Sequence, residues 1–432
     1  MKKQFIFILC SLFLCAGTIA ATDYNALQQG AVGDGKTLNT KSLQSAIDAL
    51  HEKGGGQLYF PAGRYLTGSL QLKSNVTLYL EKEAVLLGST SPYDYPGFST
   101  EKELKVNNDH FDQALIYAEG AENIGITGEG CIDGQGRELA LTIDSLHHTG
   151  ELVDKHYNTY RKRPNTRPKL LFMRNCRKVE LRKTNFRSGA AWGLSFSLCT
   201  DLTIDSLHVE NRAYWNNDGI DISDCKDVRI SNCFINSADD GICLKSHNRG
   251  AWNDRVSISN CHIISSASAI KFGTESLGGF KNVTIDNIRI KDTFRSAIAI
   301  EPVDGAEIEN VKLENIEIVC PGRATRGMAY MSVSRLKDVP ENEKGYPEFT
   351  MFEELPSWGF YVRHVKGIQM HNIKLRLQED DFRPAFVFDR VSDVRLSDIS
   401  LPEDKKEGQV VLRQTNLQSA DNAVKEYVRE VE

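Results

Sequence analysis

Three aspartates have a spacing that suits acid–base chemistry. Asp239 and Asp240 are adjacent, and Asp218 precedes Asp240 by 22 residues within a similar Asp-Gly-Ile phrase. Asp221 follows Asp218 by three residues. Carboxylates that converge cannot all ionise freely, so at least one pKa is raised and an acid forms beside a base. Hydrolysis of a glycosidic bond needs that pair, because one group protonates the leaving oxygen while the other activates water or attacks.

The same aspartates allow two other interpretations. Asp-Gly is a common turn dipeptide, so Asp218-Gly219 and Asp240-Gly241 also fit purely structural turns. Aspartates stacked close together would also supply the oxygen ligands that Ca²⁺ prefers. The spacing favours catalysis over either alternative, and we expect neither a metal nor another cofactor, since carboxylates can supply both proton transfers.

Two short phrases recur in phase along the chain and indicate the elements that hold these residues. In one, a small residue, Gly or Ala, precedes two apolar residues that flank a variable one; the phrase occurs at 192–196, 218–222, 240–244, 268–272, 296–300, 358–362 and 384–388. The other, usually introduced by Asn or Asp, occurs at 201–204, 227–230, 255–258, 282–285, 367–370 and 393–396. Alternation with a period of two predicts strands whose apolar residues point inward.

Short strands in coils of 22 to 28 residues, without helical spacers, predict an all-β parallel β-helix of about ten coils. An antiparallel sandwich would not repeat one phrase at fixed phase over seven coils. A helix starting at Asn39 or Thr40, with Leu43, Ile47 and Leu50 on one face, is expected to cap the first coil. Coils are about 4.8 Å apart, so the aspartates should lie within roughly 5 to 10 Å of one another.

Composition excludes several classes of protein. The 432 residues are 41% hydrophobic and 25% charged, which argues against disorder and a multispan membrane protein. The net charge is −6 with no long basic run, so nucleic acid is not an expected partner. We expect a polysaccharide or oligosaccharide substrate and a monomeric protein.

The first 21 residues have the pattern of a signal peptide. Lys2 and Lys3 precede an apolar run over 5–15, and small residues follow at Ala20 and Ala21. Eleven apolar residues are too few to span a bilayer. We therefore expect a secreted or periplasmic protein, with residues 22–432 forming one β-helix domain. Its eight cysteines are expected to be buried free thiols rather than several disulfides.

Two motifs resemble those of the polygalacturonase-like glycoside hydrolases of family 28. Those enzymes are right-handed parallel β-helices that carry Asn-x-Asp, Asp-Asp, Gly-His-Gly and Arg-x-Lys motifs on successive coils. Asn216-Asn217-Asp218 matches the first motif, and Asp239-Asp240 matches the second. The opening segment, 30–63, also resembles this family. The resemblance implies that Asp239 is the general acid, that Asp218 and Asp240 activate water, and that Asn216 contacts substrate.

The two remaining family motifs are absent. In the repeat register, Ser268 stands where the resemblance expects His, and Ala299 and Glu301 stand where it expects Arg and Lys. The family's basic pair binds the galacturonate carboxylate, so a glutamate there would repel a uronate. The resemblance with these departures implies retained hydrolytic machinery and a changed sugar at the reaction centre.

Other side chains are candidates for binding that sugar. Lys271 lies one coil past Asp240, and Glu275 is expected to pair with it, either for substrate binding or as a surface ion pair. Arg363 and His364 end a strand after a long insertion and are candidates for reaching the groove. A basic cluster, Arg161, Lys162, Arg163, Arg167 and Lys169, fits a solvated loop better than a polyanion site, and Trp192, Tyr214 and Trp215 are candidates for stacking on sugars or, for Trp192, for the core.

The expected function is therefore an inverting glycoside hydrolase acting on a pectic glycan, with the rhamnogalacturonan type as one option. Unrepeated stretches at 91–112, 136–168 and 321–357 are expected to wall the groove, which favours attack at chain ends. A polysaccharide lyase on the same fold and a non-catalytic carbohydrate-binding β-helix are the alternatives. Chelator sensitivity and an unsaturated product would indicate the lyase, and unchanged glycan would indicate the binding protein.

Overall fold

The computed structural model describes residues 22–95, 113–151, 167–304, 306–325, 333–339, 354–402 and 408–432. The expected signal peptide, residues 1–21, lies outside this part. Within it, strands pair in parallel from coil to coil in two sheets. No helix in these ranges is long and apolar enough to cross a membrane.

The two sheets together hold 31 strands in the described residues. The nineteen-strand sheet comprises β1 (Thr22–Asn25), β2 (Gly56–Phe60), β3 (Gly63–Thr67), β5 (Val76–Leu80), β6 (Ala84–Gly88), β8 (Glu122–Thr127), β9 (Cys131–Asp133), β11 (Arg177–Arg182), β12 (Asn185–Arg187), β14 (Thr200–Asp205), β15 (His208–Asn211), β17 (Lys226–Ser231), β18 (Phe234–Ser237), β20 (Asn253–Ser265), β22 (Phe280–Lys291), β24 (Ile308–Cys320), β26 (Val365–Leu377), β28 (Ser392–Ser400) and β30 (Leu417–Ala420). The twelve-strand sheet comprises β4 (Leu70–Gln71), β7 (Ala114–Glu119), β10 (Lys169–Arg174), β13 (Leu194–Ser197), β16 (Ile220–Ser223), β19 (Ile242–Ser246), β21 (Ile270–Ser276), β23 (Ile298–Ile300), β25 (Phe360–Arg363), β27 (Phe386–Asp389), β29 (Val410–Arg413) and β31 (Val428–Val431). The helices are α1 (Thr40–Glu52), α2 (Gly136–Thr149) and α3 (Asn422–Lys425), with 3₁₀ turns at Pro92–Asp94 and Val333–Asp338.

The strand register confirms the alignment of the first repeated phrase. Ile220 pairs with Ile242, Ile242 with Ile270, and Ile270 with Ile298. Each of these residues is fully buried. The apolar pair of the phrase therefore forms a ladder inside the coil, as the alternation predicts.

The second phrase begins at a sharp corner of each coil. Its introducing residues adopt left-handed backbone conformations, for example Asp227 (φ 57°), Asn282 (φ 55°) and Asp393 (φ 55°). Asn and Asp tolerate this conformation better than other side chains, because they can hydrogen-bond locally. The recurrence of Asn and Asp in the sequence thus reflects the turn geometry of the coil.

The two sheets differ in how their outer faces are covered. In β17 of the nineteen-strand sheet, Val228 and Ile230 are buried, while the flanking Asp227 and Arg229 are exposed. In β16 of the twelve-strand sheet, all four residues are buried. The outward positions of the twelve-strand sheet therefore hold polar side chains away from bulk water.

The amino-terminal helix caps the first coil, as predicted. Helix α1 buries Leu43, Ala46, Ile47 and Leu50 against the first strands. The chain then turns through Gly55 (φ 120°), where a side chain would lie 2.4 Å from the Asn75 backbone. Only glycine fits this approach, which explains where the helix ends.

A second hydrophobic cluster lies outside the coils at the carboxyl-terminal end of the twelve-strand sheet. Leu336, Val339 and Leu355, from the 321–357 insertion, pack on the outer face of that sheet. The residues they cover on the sheet and its edge are Ala299, Val303, Tyr361, Val387 and Val411. This part of the sheet is closed over by the insertion.

The stack is longer than the last repeated phrase suggests. Strands β29 and β31 continue it to Val431, so the twelve-strand sheet has twelve levels where about ten coils were expected. The eight cysteines between Cys131 and Cys320 are all free, and seven are buried. The prediction of buried thiols is confirmed except at Cys131, which is half-buried.

Candidate functional site

The predicted catalytic aspartates lie where coils turn into the twelve-strand sheet. Asp218 precedes β16 and Asp240 precedes β19, at equivalent positions of adjacent coils. The Gly219 amide donates to the Asp240 carbonyl at 2.9 Å. A side chain at Gly219 would lie 2.4 Å from the Gly241 carbonyl oxygen, so glycine is needed for the coils to stack this closely. Each Asp-Gly pair therefore forms a turn and also places an aspartate at the edge of the twelve-strand sheet.

Two buried asparagines fix the turn that carries Asp218. Asn211 donates to the carbonyl oxygens of Asp218 (2.8 Å) and Ala191 (3.1 Å). Asn217 donates to the carbonyl oxygens of Gly189 (2.9 Å) and Ala191 (2.6 Å). Both side chains are fully buried. Side-chain amides thus satisfy the backbone groups that the irregular turn leaves without strand partners.

A buried lysine that the sequence reasoning missed joins two of the carboxylates. The Lys245 ammonium lies 3.1 Å from Asp218 Oδ2 and 2.6 Å from Asp221 Oδ1. It also lies 4.3 Å from the centroid of the Trp192 ring, a cation–π distance. Trp192 is 5% exposed, which favours its interpretation as part of the core.

The electrostatic surroundings of Asp218 raise its proton affinity. Burial raises the pKa of Asp218 well above its usual range, and the Asp221 carboxylate adds to this, while Lys245 opposes it. Asp239 and Asp240 also raise it, which shows that the three predicted catalytic carboxylates influence one another. The sequence expectation that the carboxylates converge is met.

Asp240 is paired with Lys271, which the sequence named as a candidate binding residue. The Lys271 ammonium lies 3.0 Å from Asp240 Oδ2 and 3.6 Å from Glu301 Oε1. Lys271 and Glu301 are 6% and 0% exposed, so this pair is buried, and Lys271 is not the surface lysine that one alternative assumed. Glu301, at the family's Lys position, is therefore charge-compensated by Lys271.

Asp239 is the most accessible of the three aspartates. It is half-buried, whereas Asp218 and Asp240 are buried. Its carbonyl oxygen accepts hydrogen bonds from the hydroxyls of Ser237 (2.9 Å) and Ser265 (2.6 Å). Its Oδ1 accepts from the Asp240 amide at 3.1 Å. The Asp239 backbone is thus fixed by side-chain hydroxyls, while the residue stays half-buried.

Glu275 pairs with a histidine that the sequence analysis did not single out. His247 Nδ1 lies 3.1 Å from Glu275 Oε2, and its Nε2 lies 3.2 Å from Ser223 Oγ. Burial lowers the pKa of His247, but the carboxylates of Glu275 and Asp224 outweigh this, and the net shift is upward. Glu275, at 5% exposed, is part of a buried pair.

The other predicted binding residues lie at different distances along the sheet. Asn216 adjoins the site, and its Oδ1 accepts from Arg167 Nη2 at 3.3 Å. Arg363 is fully buried on β25, two strands beyond the strand of Lys271, and its Nη2 lies 3.2 Å from His364 Nε2. Arg363 therefore lies two levels further along the twelve-strand sheet than Lys271, and its expected role in substrate binding stays a prediction.

Two residues of the basic cluster are buried, whereas a solvated loop was expected. Arg161 to Arg163 lie outside the described residues, but Arg167 and Lys169 are 0% and 3% exposed. Arg167 Nη1 donates to the carbonyl oxygens of Ala190 (2.6 Å) and Trp215 (2.9 Å). A cluster of basic residues in the sequence does not indicate that Arg167 and Lys169 are buried, because their burial depends on tertiary packing.

One signal in the sequence pointed to the missed lysine. Lys245 ends the apolar run 242–244, and a charge within a buried strand implies a partner. His247 and Glu275 carry no such signal, because their pairing depends on how two loops fold back. In the described part of the chain, no group of three or more His, Cys, Asp or Glu side chains is arranged to hold a metal ion.

Comparisons with known proteins agree with this geometry. The profile of Glycosyl hydrolases family 28 matches residues 56–321, and that of "Rhamnogalacturonase A/epimerase, pectate lyase-like" matches residues 24–81. A "Probable polygalacturonase" of Vitis vinifera is 31% identical over 278 residues, covering 60% of this chain and 53% of that protein. An "Exo-poly-alpha-D-galacturonosidase" of Dickeya chrysanthemi is 28% identical over 248 residues, covering 50% of this chain and 41% of that protein. The chain thus spans about half the length of these relatives.

A solved structure supports the fold. The family 28 exopolygalacturonase of Yersinia enterocolitica superimposes with a TM-score of 0.66 at 20% identity, covering 95% of this chain and 75% of that one. This similarity confirms the right-handed parallel β-helix. With the family profile covering most of the coils and both aspartate motifs in place, the chain belongs to glycoside hydrolase family 28.

Proposed function

We propose that the protein hydrolyses a glycosidic bond in a pectic, galacturonate-containing glycan. The observation that carries this proposal is the set of three neighbouring aspartates, two of which are each paired with a buried lysine. Lys245 lowers the pKa of Asp218 against the effect of burial, which favours the ionised form that a base needs. The names of the relatives, which refer to polygalacturonic acid, support the substrate class.

The three aspartates take different roles in the proposed reaction. Asp239, the most accessible, protonates the leaving oxygen, and Asp218 and Asp240 orient and deprotonate the attacking water. A raised pKa makes Asp218 a stronger base at the pH where it is ionised. We expect about 6.5 to 9.5 Å between acid and base, the separation that leaves room for a water and inverts the anomeric configuration.

The substrate is proposed to enter as a chain end. The insertion cluster containing Leu336, Val339 and Leu355 covers the outer face of the sheet from Ala299 onward. Ala299 pairs with Lys271, so the cover begins one level past the lysine that binds Asp240. A groove closed this near the aspartates admits only a few sugars on that side, which supports exo action.

The sugar at the reaction centre is proposed to differ from simple homogalacturonan. Glu301 and Ala299 replace the family's basic pair, and Lys271 is already engaged by Asp240 and Glu301. The aspartates and glutamates of the site outnumber its cations, so a uronate carboxylate would be repelled there. A rhamnogalacturonan-type glycan, with a neutral sugar at this position, fits better. A signal peptide over residues 1–21, and hence a secreted or periplasmic location, is part of the same proposal.

Digestion of a panel of defined pectic oligosaccharides tests this function. Products are identified by mass spectrometry for the wild type and for Asp239→Asn. We expect small saturated products from the wild type and at least about 10²-fold slower release from the variant. A product absorbing in the ultraviolet would indicate a lyase, and an unchanged panel would indicate a binding protein; either result contradicts the proposal.

A further inference from the structure

Trp215 is unusual among the tryptophans of this chain. It is 62% exposed, whereas Trp192 and Trp358 are 5% and 0% exposed and Trp252 is half-buried. An indole left in water forgoes a large hydrophobic stabilisation. A single exposed aromatic side chain needs no explanation by itself. The backbone of Trp215, however, is held by a buried arginine.

The backbone around Trp215 is fixed by buried groups. Arg167 is fully buried, and it donates to the Trp215 carbonyl oxygen at 2.9 Å and to Asn216 Oδ1 at 3.3 Å. Its guanidinium lies 5.1 Å from the centroid of the Tyr214 ring. Tyr214 in turn donates its hydroxyl to Asp144 of α2 at 2.8 Å, and its amide donates to Asn217 Oδ1. These buried contacts therefore fix the backbone of Trp215, while its indole ring is exposed.

The loop that carries Trp215 lies at the edge of the aspartate cluster. Trp215 precedes Asp218 by three residues, and Asp239 lies on the next coil, about 4.8 Å further along the stack. Arg212, on the same loop, donates to the Ser237 carbonyl oxygen at 2.6 Å and to Ser266 Oγ at 2.7 Å. The loop of Trp215 is thus tied to the two coils that follow it, including the coil of Asp239.

We propose that Trp215 is a stacking platform for a sugar ring next to the scissile bond, and that Arg167 is the positioning residue that holds it. The inference rests on the proposed function, since it places a sugar beside Asp239. Flat aromatic rings of low conformational entropy are suited to binding apolar sugar faces without charge, as a site that lacks the family's basic pair requires. Of the three aromatic candidates named from sequence, Trp192 is buried, and Tyr214 contacts Arg167 and Asp144 and so helps to fix the backbone beside Trp215.

Steady-state kinetics on pectic oligosaccharides test the platform. We expect Trp215→Ala to raise KM about tenfold with kcat within about twofold, because uniform binding is lost. Trp215→Phe should stay near the wild type, since it keeps a ring. Tyr79→Ala is the matched control: Tyr79 is exposed on the nineteen-strand sheet, and we expect no change. An unchanged KM in Trp215→Ala would overturn the inference.

A second measurement separates this inference from the proposed function. Acrylamide quenching of tryptophan fluorescence is measured in Asp239→Asn, with galacturonic acid trisaccharide and a rhamnogalacturonan tetrasaccharide as probes. We expect one of these glycans to protect the fluorescence, and the protection to vanish when Trp215→Phe is added. Protection without turnover by the wild type would refute the hydrolase and keep the platform. Absence of protection by both probes would refute the platform.

Arg167→Met tests the positioning role. A soluble Arg167→Met protein should show the raised KM of Trp215→Ala although the indole is still present. An unchanged KM in a soluble variant would contradict the role of Arg167. If this variant does not fold, Trp215→Ala and the quenching measurement decide the platform, because a 62% exposed side chain can be truncated without disturbing the core.

Discussion

Two ion pairs of equal length occupy opposite surroundings in this molecule. Arg255 Nε lies 2.6 Å from Asp227 Oδ1 on the nineteen-strand sheet, and Lys245 Nζ lies 2.6 Å from Asp221 Oδ1 on the twelve-strand sheet. Each pair joins one coil to the next. The side chains of the first pair are 52% and 45% exposed, and those of the second are 3% and 1% exposed.

This difference separates charges that the coil tolerates from charges that the site requires. An exposed pair contributes about 0 to 1 kcal/mol to stability, because water screens it. A buried pair gains little net stability, since desolvation cancels most of the attraction, but breaking it is costly. The fold alone therefore gives no reason to place lysines and aspartates under cover on the twelve-strand sheet. The proposed chemistry on a substrate would give such a reason.

The largest effect is expected at the proposed general acid. Asp239→Asn should lower turnover of a pectic oligosaccharide at least about 10²-fold, because the leaving oxygen is no longer protonated. Asp227→Asn, on the other sheet, is the matched control and should leave turnover unchanged. Near-normal rates in Asp239→Asn would remove Asp239 from the mechanism.

The next effect is on stability. Lys245→Met leaves Asp218 and Asp221 buried together without their cation, and should lower the free energy of unfolding by about 3 to 5 kcal/mol. Urea denaturation followed by circular dichroism measures this change. A loss below 1 kcal/mol would mean that the pair is far more hydrated than its 3% and 1% exposure implies.

The same variant should change the pH dependence of activity. Lys245 lowers the pKa of Asp218, which burial and Asp221 raise. Its removal should raise that pKa further, so Asp218 loses its proton only at higher pH. The acidic limb of kcat/KM should therefore move to higher pH in Lys245→Met. A limb that stays in place would show that Asp218 is not the base.

A smaller effect is expected from the buried histidine pair. The pKa of His247 in the folded protein is raised, burial being outweighed by Glu275, so its contribution to stability is full below its unfolded pKa of about 6.5. That contribution is lost as pH rises through the folded pKa. In the wild type, the melting temperature should therefore fall as the pH rises above neutrality. In Glu275→Gln, this fall should be absent. An identical pH profile in both proteins would show that the pair carries no charge.

The smallest effect is expected at the exposed pair. Arg255→Met should change the free energy of unfolding by less than about 1 kcal/mol. Arg255 also contacts Asp254, whose side chain is 8% exposed, but the arginine side chain itself is 52% exposed and stays hydrated. A loss as large as that of Lys245→Met would erase the distinction between the two sheets.

Much of the fold was predictable because it repeats. Each coil reuses an apolar ladder such as Ile220, Ile242 and Ile270, and a left-handed corner that favours Asn or Asp, so seven weak signals reinforce one another. The aspartates were predictable for the same reason, since the register puts Asp218 and Asp240 on adjacent coils. Residues set by the repeat are visible in a single sequence.

The partners of the aspartates were harder to predict because they depend on tertiary folding. The sequence did not indicate the contact between Glu275 and His247 Nδ1 at 3.1 Å. It also did not indicate the contacts of Lys271 with Asp240 and Glu301. Arg167 comes from an unrepeated insertion and turns inward, whereas its basic neighbours in sequence suggested a solvated loop. The local amino-acid sequence does not indicate which loop covers which face of the sheet.

The central claim is that three aspartates on adjacent coils form an inverting hydrolytic site. Proton NMR of the first product released from a defined pectic oligosaccharide tests it directly, because the anomeric signal appears before mutarotation. We predict that the wild type releases a saturated product with inverted configuration and that Asp239→Asn releases none on the same timescale. A product that retains the configuration of the substrate, or equal release by the variant, would contradict the account.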